Sequence, residues 1–301
     1  MKRITNYKLI VAALAMTSMM GACSSNNDVA LPNINGYANS DAVASANLIA
    51  YWPLDGNGTD TKRNLTATSS SNVTYTTGVK GQSAQFANGY IYSASPLTNL
   101  ANGQAWTLSA WVQATNNFVA GGNPPANNHP YSIFQATRPG QLFGSINETY
   151  EAGAYAAVSD TMFFKSLYQD ASGGLQDAVN NYGVAGTDYK VVKKAGTGQW
   201  VHVVTTYNPA GGTGAQSIFR IYADSAQVNN TLFENRGTNS FKYTPGEVII
   251  GGWYNNIPGK TVSADLWTTG FTGKIDEVRL YNKLLTTDEI TALYHLGKAG
   301  R

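Results

Sequence analysis

Few side chains in this chain can do acid, base, nucleophilic or metal chemistry: 18 carboxylates, three histidines and one cysteine among 301 residues. Cleaving a glycosidic bond with retention takes two carboxylates about 5 Å apart, which a strand supplies by alternate spacing on one face. Asp276 and Glu277 are adjacent, so in a regular strand they fall on opposite faces and form no such pair. Glu148, Glu151, Asp160, Asp170 and Asp177 sit in Gly-, Asn- and Ala-rich sequence that reads as loop, where a carboxylate is ordinarily solvated. His129, His202 and His295 are too dispersed for a metal triad, and no His-Glu-x-x-His run exists. Serine and cysteine nucleophile motifs are missing as well. The expectation is a protein that binds without cleaving, with no catalytic residue.

Binding chemistry has better candidates. Sugars present apolar C–H faces and many hydroxyls, so their sites pair flat aromatic rings with amide, carboxylate and guanidinium groups. Two regions carry that mixture. One is a strand face with Trp111, His202, Arg220 and Tyr222; the other is the loop Trp253-Tyr254-Asn255-Asn256, with Trp267 further along. Packing competes with this reading at each position: Trp111 and Trp200 suit a core, His202 suits a hydrogen-bonded interior, and Trp253 suits a covered sheet edge. The same aromatics would also serve a structural or adhesive surface that docks another protein.

These groups must be positioned by strands. From Leu48 onward short alternating segments are broken by Gly, Asn, Pro and Ser every dozen or so residues, an all-β signature. Strands are expected over 105–113, 200–207, 217–223, 247–251 and 273–281. In the first, Trp106, Leu108, Ala110 and Val112 share the face expected to meet the core. One helix closes the chain: Thr286 and Glu289 have capping-box spacing, Ile290, Leu293 and Tyr294 share a face, and Gly297 is expected to stop it. Between 139 and 197 the pattern weakens into hairpins and long loops, all within one domain.

Cys23 is the only cysteine. A basic start, an apolar stretch over 9–20 and Met20-Gly21-Ala22-Cys23 read as a cleaved export signal over 1–22, since about twelve apolar residues are too few to span a bilayer. The tetrapeptide resembles the bacterial lipobox, whose cysteine is acylated. Residues 23–43, rich in Ser, Asn, Asp and Ala, are expected to form a flexible tether, with the folded domain over 44–301. Two or more acyl chains anchor stably to a lipid bilayer, and Ser24 after the cysteine resembles outer-membrane sorting, on either the periplasmic or the outer face. Without Lys2, Arg3 and Lys8 the formal charge falls to −1, which excludes nucleic acid as a partner because no basic field meets the phosphates.

Five segments in order resemble one family. They are Leu48 to Asn57 (LIAYWPLDGN), Gly78 to Gly89 ending Ala84-Gln85-Phe86-Ala87-Asn88-Gly89, Trp106 to Val112, the pair Gln199 to Val204 and Ile221 to Asp224, and Phe271 to Asn282 followed by Leu285, Glu289 and Leu293. Together they are similar to the bacterial laminin-G-like domains of the concanavalin A-like lectin/glucanase superfamily; the stretch over 115–198 matches least. The resemblance implies an all-β jelly-roll sandwich of two antiparallel sheets with a short C-terminal helix. It implies glycan or polysaccharide binding, with glycoside hydrolysis as the enzymatic alternative, although the Glu-x-Asp-x-x-Glu run of the family's hydrolases is absent. It also implies one structural Ca²⁺ held by Asp55, Gly89 and Asp276, a mixed oxygen set of the kind that ion takes.

Overall fold

Period-2 alternation becomes a ladder of antiparallel strands. The computed structural model describes residues 31–114, 130–151, 160–180, 191–264 and 268–301. Cys23 and its signal, His129 and Trp267 therefore lie outside the described residues. The strands are β1 (Leu48–Trp52), β2 (Ser69–Thr77), β3 (Gln82–Ser93), β4 (Trp106–Ala114), β5 (Pro130–Ala136), β6 (Ile146–Glu151), β7 (Thr161–Gln169), β8 (Leu175–Val179), β9 (Val192–Lys193), β10 (Val201–Asn208), β11 (Ile218–Ala223), β12 (Ala226–Gln227), β13 (Val248–Ile250) and β14 (Phe271–Tyr281). Helix α1 (Thr287–Lys298) follows.

Hydrogen bonding runs β12-β11-β10-β4-β14-β3-β13-β5-β6-β7-β8, with β1 beside β14, β2 beside β3 and β9 beside β7. The expectation is two separate sheets; the ladder is instead one continuous, curled, jelly-roll-like sheet. Strand β3 makes it so. Residues 84–89 of this 12-residue strand pair with β14, and residues 91–93 pair with β13. Where β3 leaves β14, β1 takes its place against residues 278–281.

The curl closes on an aromatic core. Trp106, as expected, faces inward, with ring centroids 5.8 Å from Phe219, 5.7 Å from Phe241 and 6.2 Å from Tyr207. Tyr168 on β7 reaches the same cluster, 4.9 Å from both Tyr207 and Phe219. The weakly patterned stretch thus supplies β6 to β9, and Tyr150, Phe164 and Tyr168 are fully buried there. Its sequence reads as loop because short strands alternate with long connections.

The opposite face of β4 and β10 is covered as well. Helix α1 begins as expected, with Thr286 accepting from Glu289 N and the Glu289 carboxylate accepting from Thr286 N. It buries Ile290, Leu293 and Leu296 against Val204, Tyr222 and Tyr281. Gly297 does not stop it: the helix runs to Lys298 and caps at Ala299. A side chain at 297 would strike the Trp111 indole, so glycine is there for close approach.

The chain divides into a unit over 1–32 and a compact unit over 33–301. The expected tether boundary at 43 therefore moves: Ser40 and Val43 are buried, Ser40 N donates to Arg301 O, and Asp41 pairs with Lys80 and Arg279.

Candidate functional site

Helix α1 covers much of the expected sugar face on β4, β10 and β11, and the Trp111 ring reaches only the wall of the cleft at the end of that helix. Trp111 is 3% exposed and clusters with His202 and the α1 residue Tyr294, at 4.9 and 5.8 Å between ring centroids, with those two 6.3 Å from each other. His202 Nε2 pairs with Ser109 Oγ at 2.8 Å. Burial and the nearby Arg279 push the imidazole down to about 3, so it is neutral. Tyr222 is buried under the same helix. These three pack the helix onto the sheet instead of presenting a platform, because α1 needs an apolar floor and their face provides it.

The second expected site is closed. Trp253 is fully buried, its Nε1 donates to Pro130 O at 3.2 Å, and Phe143 meets it edge-on at 5.8 Å. Tyr254 is buried beneath Lys260, whose ammonium lies 5.5 Å from the ring centroid. Asn255 staples its own loop: Nδ2 donates to Ser263 O and Oγ, and Oδ1 accepts from Val262 N. Trp253 is thus an interior group but not the cover of a sheet edge, because β13 just before it pairs with both β3 and β5.

Among the expected metal ligands, Asp55 and Asp276 meet at one turn over residues 78–82. Asp276 Oδ2 accepts from Val79 N at 2.7 Å and Lys80 N at 3.3 Å, while Asp55 Oδ1 accepts from Gln82 N at 2.6 Å. Gly89 does not join them. It pairs with Phe271, five residues before Asp276 on β14, which is about 16 to 17 Å along a strand at roughly 3.3 Å per residue. Asp276 Oδ1 is buried with no partner. Burial and the adjacent Glu277 raise its carboxyl to about 8. A cation at Oδ1 would reverse that preference; Asp55 and Asp276 approach the same turn, and Gly89 does not.

A bulge corrects another expectation. Glu277 adopts φ +53, and the β14–β4 register shifts between Asp276 and Arg279. The extra residue breaks the alternation that would have put Asp276 and Glu277 on opposite faces. Glu277 instead accepts from Tyr51 Oη at 2.6 Å and pairs with Arg279 at 2.5 Å in a buried charge cluster.

Glu148 is likewise no loop acid. It lies on β6 and is buried, and its Oε2 accepts from Ser166 Oγ and from Thr205 Oγ1. Burial raises its carboxyl to about 8. Asp170 accepts from Ser172, Gly174 and Gln176, which hold a β-turn between β7 and β8. Asp160 lies near Lys193 at 3.8 Å. Of Glu151, the backbone alone is described.

One pocket joins residues that sequence reasoning left apart. It has a volume of about 220 Å³ and lies between β8 and the segment after β12, lined by Asp177, Val179, Asn229, Asn230, Phe233 and Arg236. The segment is pinned to β11. Arg220, the remaining sugar-face candidate, forks onto Glu234 with two 2.8 Å bonds, and Asn229 Oδ1 accepts from Ile221 N. Asn230 caps the short 3₁₀ turn 231–233, its Oδ1 accepting from Leu232 N at 2.8 Å. That fixes which end of the amide is spent. Phe233 is 41% exposed and Leu232 71%. Two exposed large apolar residues after an Asn-Asn pair are the signal that could have marked this segment.

Two other clefts are present among the described residues. One of about 350 Å³ lies at the C-terminal end of α1, lined by Trp111, Tyr294, Trp200, Gln199, Lys194 and Lys298. Another of about 410 Å³ runs over Gln85, Gln113, Thr272 and Lys274.

Three likenesses to solved structures accompany this geometry. Domain 4 of AbnA, a GH43 extracellular arabinanase from Geobacillus stearothermophilus, matches at 17% identity and TM-score 0.47, over 82% of this chain and 98% of that one. The binding domain of Paraclostridial Mosquitocidal Protein 1 matches at 12% identity and TM-score 0.51, over 83% of this chain and 52% of that one. The botulinum neurotoxin serotype G binding domain matches at 11% identity and TM-score 0.51, over 83% and 51%. The chain thus spans about half the length of the two toxin binding domains, and the likeness to them concerns the fold. No curated protein sequence matches the chain. A family model, Laminin_G_3, covers residues 86–291, and the chain belongs to the concanavalin A-like lectin/glucanases superfamily.

Proposed function

We propose that the protein is a membrane-tethered domain that binds carbohydrate without cleaving it. The observation that carries this reading is the pocket between β8 and the 229–236 segment, which sets an aromatic ring beside amide, guanidinium and carboxylate groups on a lectin-type scaffold. The acids singled out from the sequence support the non-catalytic half: Glu148 is tied to two hydroxyls in the interior, and Glu277 to Arg279 and Tyr51. A glycan array should give carbohydrate hits for the purified domain. Incubation with each bound polysaccharide should release no reducing ends above a heat-killed control; release would make the protein a hydrolase. An array without hits, with a protein captured instead, would favour the adhesive alternative.

The anchor is part of the same proposal and rests on the lone Cys23 after a short apolar stretch. Cys23→Ser should move the protein from the membrane pellet to the soluble fraction. If the unaltered protein is already soluble without detergent, the anchor is wrong.

Asp55 and Asp276 are proposed to hold a structural Ca²⁺, completed by backbone and water oxygens. If the ion binds the folded state alone, a hundredfold excess over Kd stabilises by about 2.7 kcal/mol. Asp276→Ala should erase that gain. Identical melting curves in calcium and in chelator would refute the site.

A further inference from the structure

We propose that the two clefts meeting at Gly198 form a second ligand groove that takes an acidic polysaccharide, one whose sugars carry carboxylate or sulfate groups. This groove shares no lining residue with the pocket between β8 and the 229–236 segment. The inference rests on the carbohydrate reading above for the kind of polymer and adds a place and a charge.

The sheet register makes the groove continuous. Lys274 on β14 pairs with Gln113 on β4 and with Gln85 on β3, so these three side chains stand beside one another on one face. Trp200 leads into β10, where His202 pairs with Trp111, and alternation puts the indole on the face of Trp111 and Gln113. The row Trp200, Gln113, Lys274, Gln85 therefore crosses β10, β4, β14 and β3, about 14 Å at roughly 4.8 Å per strand. Gly198 is a wall of both clefts, with φ +74 and open space where a side chain would stand. No side chain at that position divides them. A row of this length suits several linked sugars better than one ring.

The groups along it are unspent. Among the described residues the half-buried Trp200 indole has no hydrogen bond or ring contact, and the side chains of Gln85, Gln199 and Lys274 have no partner. Gln113 donates from Nε2 to Gly198 O and keeps its own oxygen free. A ring for C–H faces and amides that both donate and accept are what a sugar chain uses.

Charge names the class. Lys194 is matched by Asp224 at 2.5 Å, and Lys80, next to Val79 of the groove wall, by Asp41 at 2.8 Å. Lys274 and Lys298 have no ion pair among the described residues; the Lys298 ammonium lies 5.4 Å from the Tyr294 ring centroid. No carboxylate lines either cleft. Asp276, on the same face, is buried and turned into the 78–82 turn. A neutral chain would use the ring and the amides and leave both ammonium groups idle. An acidic chain uses all of them.

The test uses the full folded domain and calorimetry on two matched pairs, oligogalacturonate against its methyl ester and dextran sulfate against dextran. The acidic member should bind more tightly than its neutral partner in at least one pair, and that pair names the acid. Lys274→Gln and Lys298→Gln should each weaken acidic binding about twofold to fivefold, the usual worth of one exposed ion pair, at an unchanged melting temperature. Trp200→Ala should weaken binding about threefold to tenfold, and Trp200→Phe should retain most of it, which separates stacking from packing. Acidic binding untouched by both lysine substitutions, or by Trp200→Ala, overturns the site. Polyglutamate bound as tightly as the acidic glycan overturns the ligand class. Neutral members bound as tightly as acidic ones, or hits on a glycan array with neither acidic probe bound, overturn this inference and leave the carbohydrate reading standing. No glycan bound by the unaltered protein overturns both.

Discussion

Trp253→Ala is expected to cost about 3–5 kcal/mol of stability, the usual range for removing a large buried aromatic side chain. The indole is fully buried, meets Phe143 edge-on and donates to Pro130 O. Its backbone N–H is also taken, by Asn256 Oδ1 at 2.7 Å, which closes the short turn that follows. Alanine would open a cavity between the 251–257 loop and the start of β5 and leave the Pro130 carbonyl without its donor. In a domain of this size the melting midpoint should fall by on the order of 10 °C. Trp253→Phe should lose less, since it keeps most of the volume and gives up the hydrogen bond. An unchanged midpoint in Trp253→Ala would mean that the ring is an open platform after all. Any loss of glycan binding in this variant should follow unfolding.

The sequence was informative where local rules decide the outcome. Alternation placed Trp106, Leu108, Ala110 and Val112 on the core side, and they are there, because a half-buried strand must put its apolar set on one face. The capping box of α1 was legible for a similar reason: Thr286 and Glu289 satisfy orphan amides locally. What covers the second face of β4 is a matter of long-range packing. Trp111 and His202 alternate away from the core whether they meet water or a helix, and nothing near them in sequence announces that Ile290 and Leu293 will descend on that face. Gly297 held a clue: its missing side chain makes room for Trp111, yet it reads equally well as a stop signal. The bulge at Glu277 was hidden because αL geometry at a glutamate has no sequence mark. Glu148 was hidden by its own alternation, as Ile146, Glu148 and Tyr150 all point inward and a carboxylate is the least expected member of such a set. The pocket between β8 and the 229–236 segment joins residues more than fifty positions apart, so only the return of that segment to β8 could reveal it.

Glu148 makes the fold sensitive to alkali in a way that one substitution should remove. In the folded protein burial holds its carboxyl at about 8, against about 4.3 for glutamate in an unfolded chain. Between those values the native state keeps a proton that the unfolded state has released. The stabilising contribution is therefore complete below about pH 4.3 and is lost as pH rises through about 8. The slope from one such group approaches about 1.4 kcal/mol per pH unit. With no cation bound, Asp276, also raised to about 8, acts in the same direction, while neutral His202, held down to about 3, costs stability only as pH falls below about 6.5. The window from pH 6.5 to 9 thus reads the two acids without the histidine. Glu148→Gln keeps the shape and one acceptor for the hydroxyls of Ser166 and Thr205, and it carries no charge to desolvate. Its stability should fall less steeply than that of the unaltered protein, so that the two curves separate by a few kcal/mol toward pH 9, with the variant the more stable. Glu148→Ala removes the acceptor and leaves both hydroxyls facing a cavity, and it should be destabilised at every pH. Urea titrations across the window decide the matter: parallel curves for Glu148→Gln and the unaltered protein would mean that the buried carboxyl is already ionised at neutral pH.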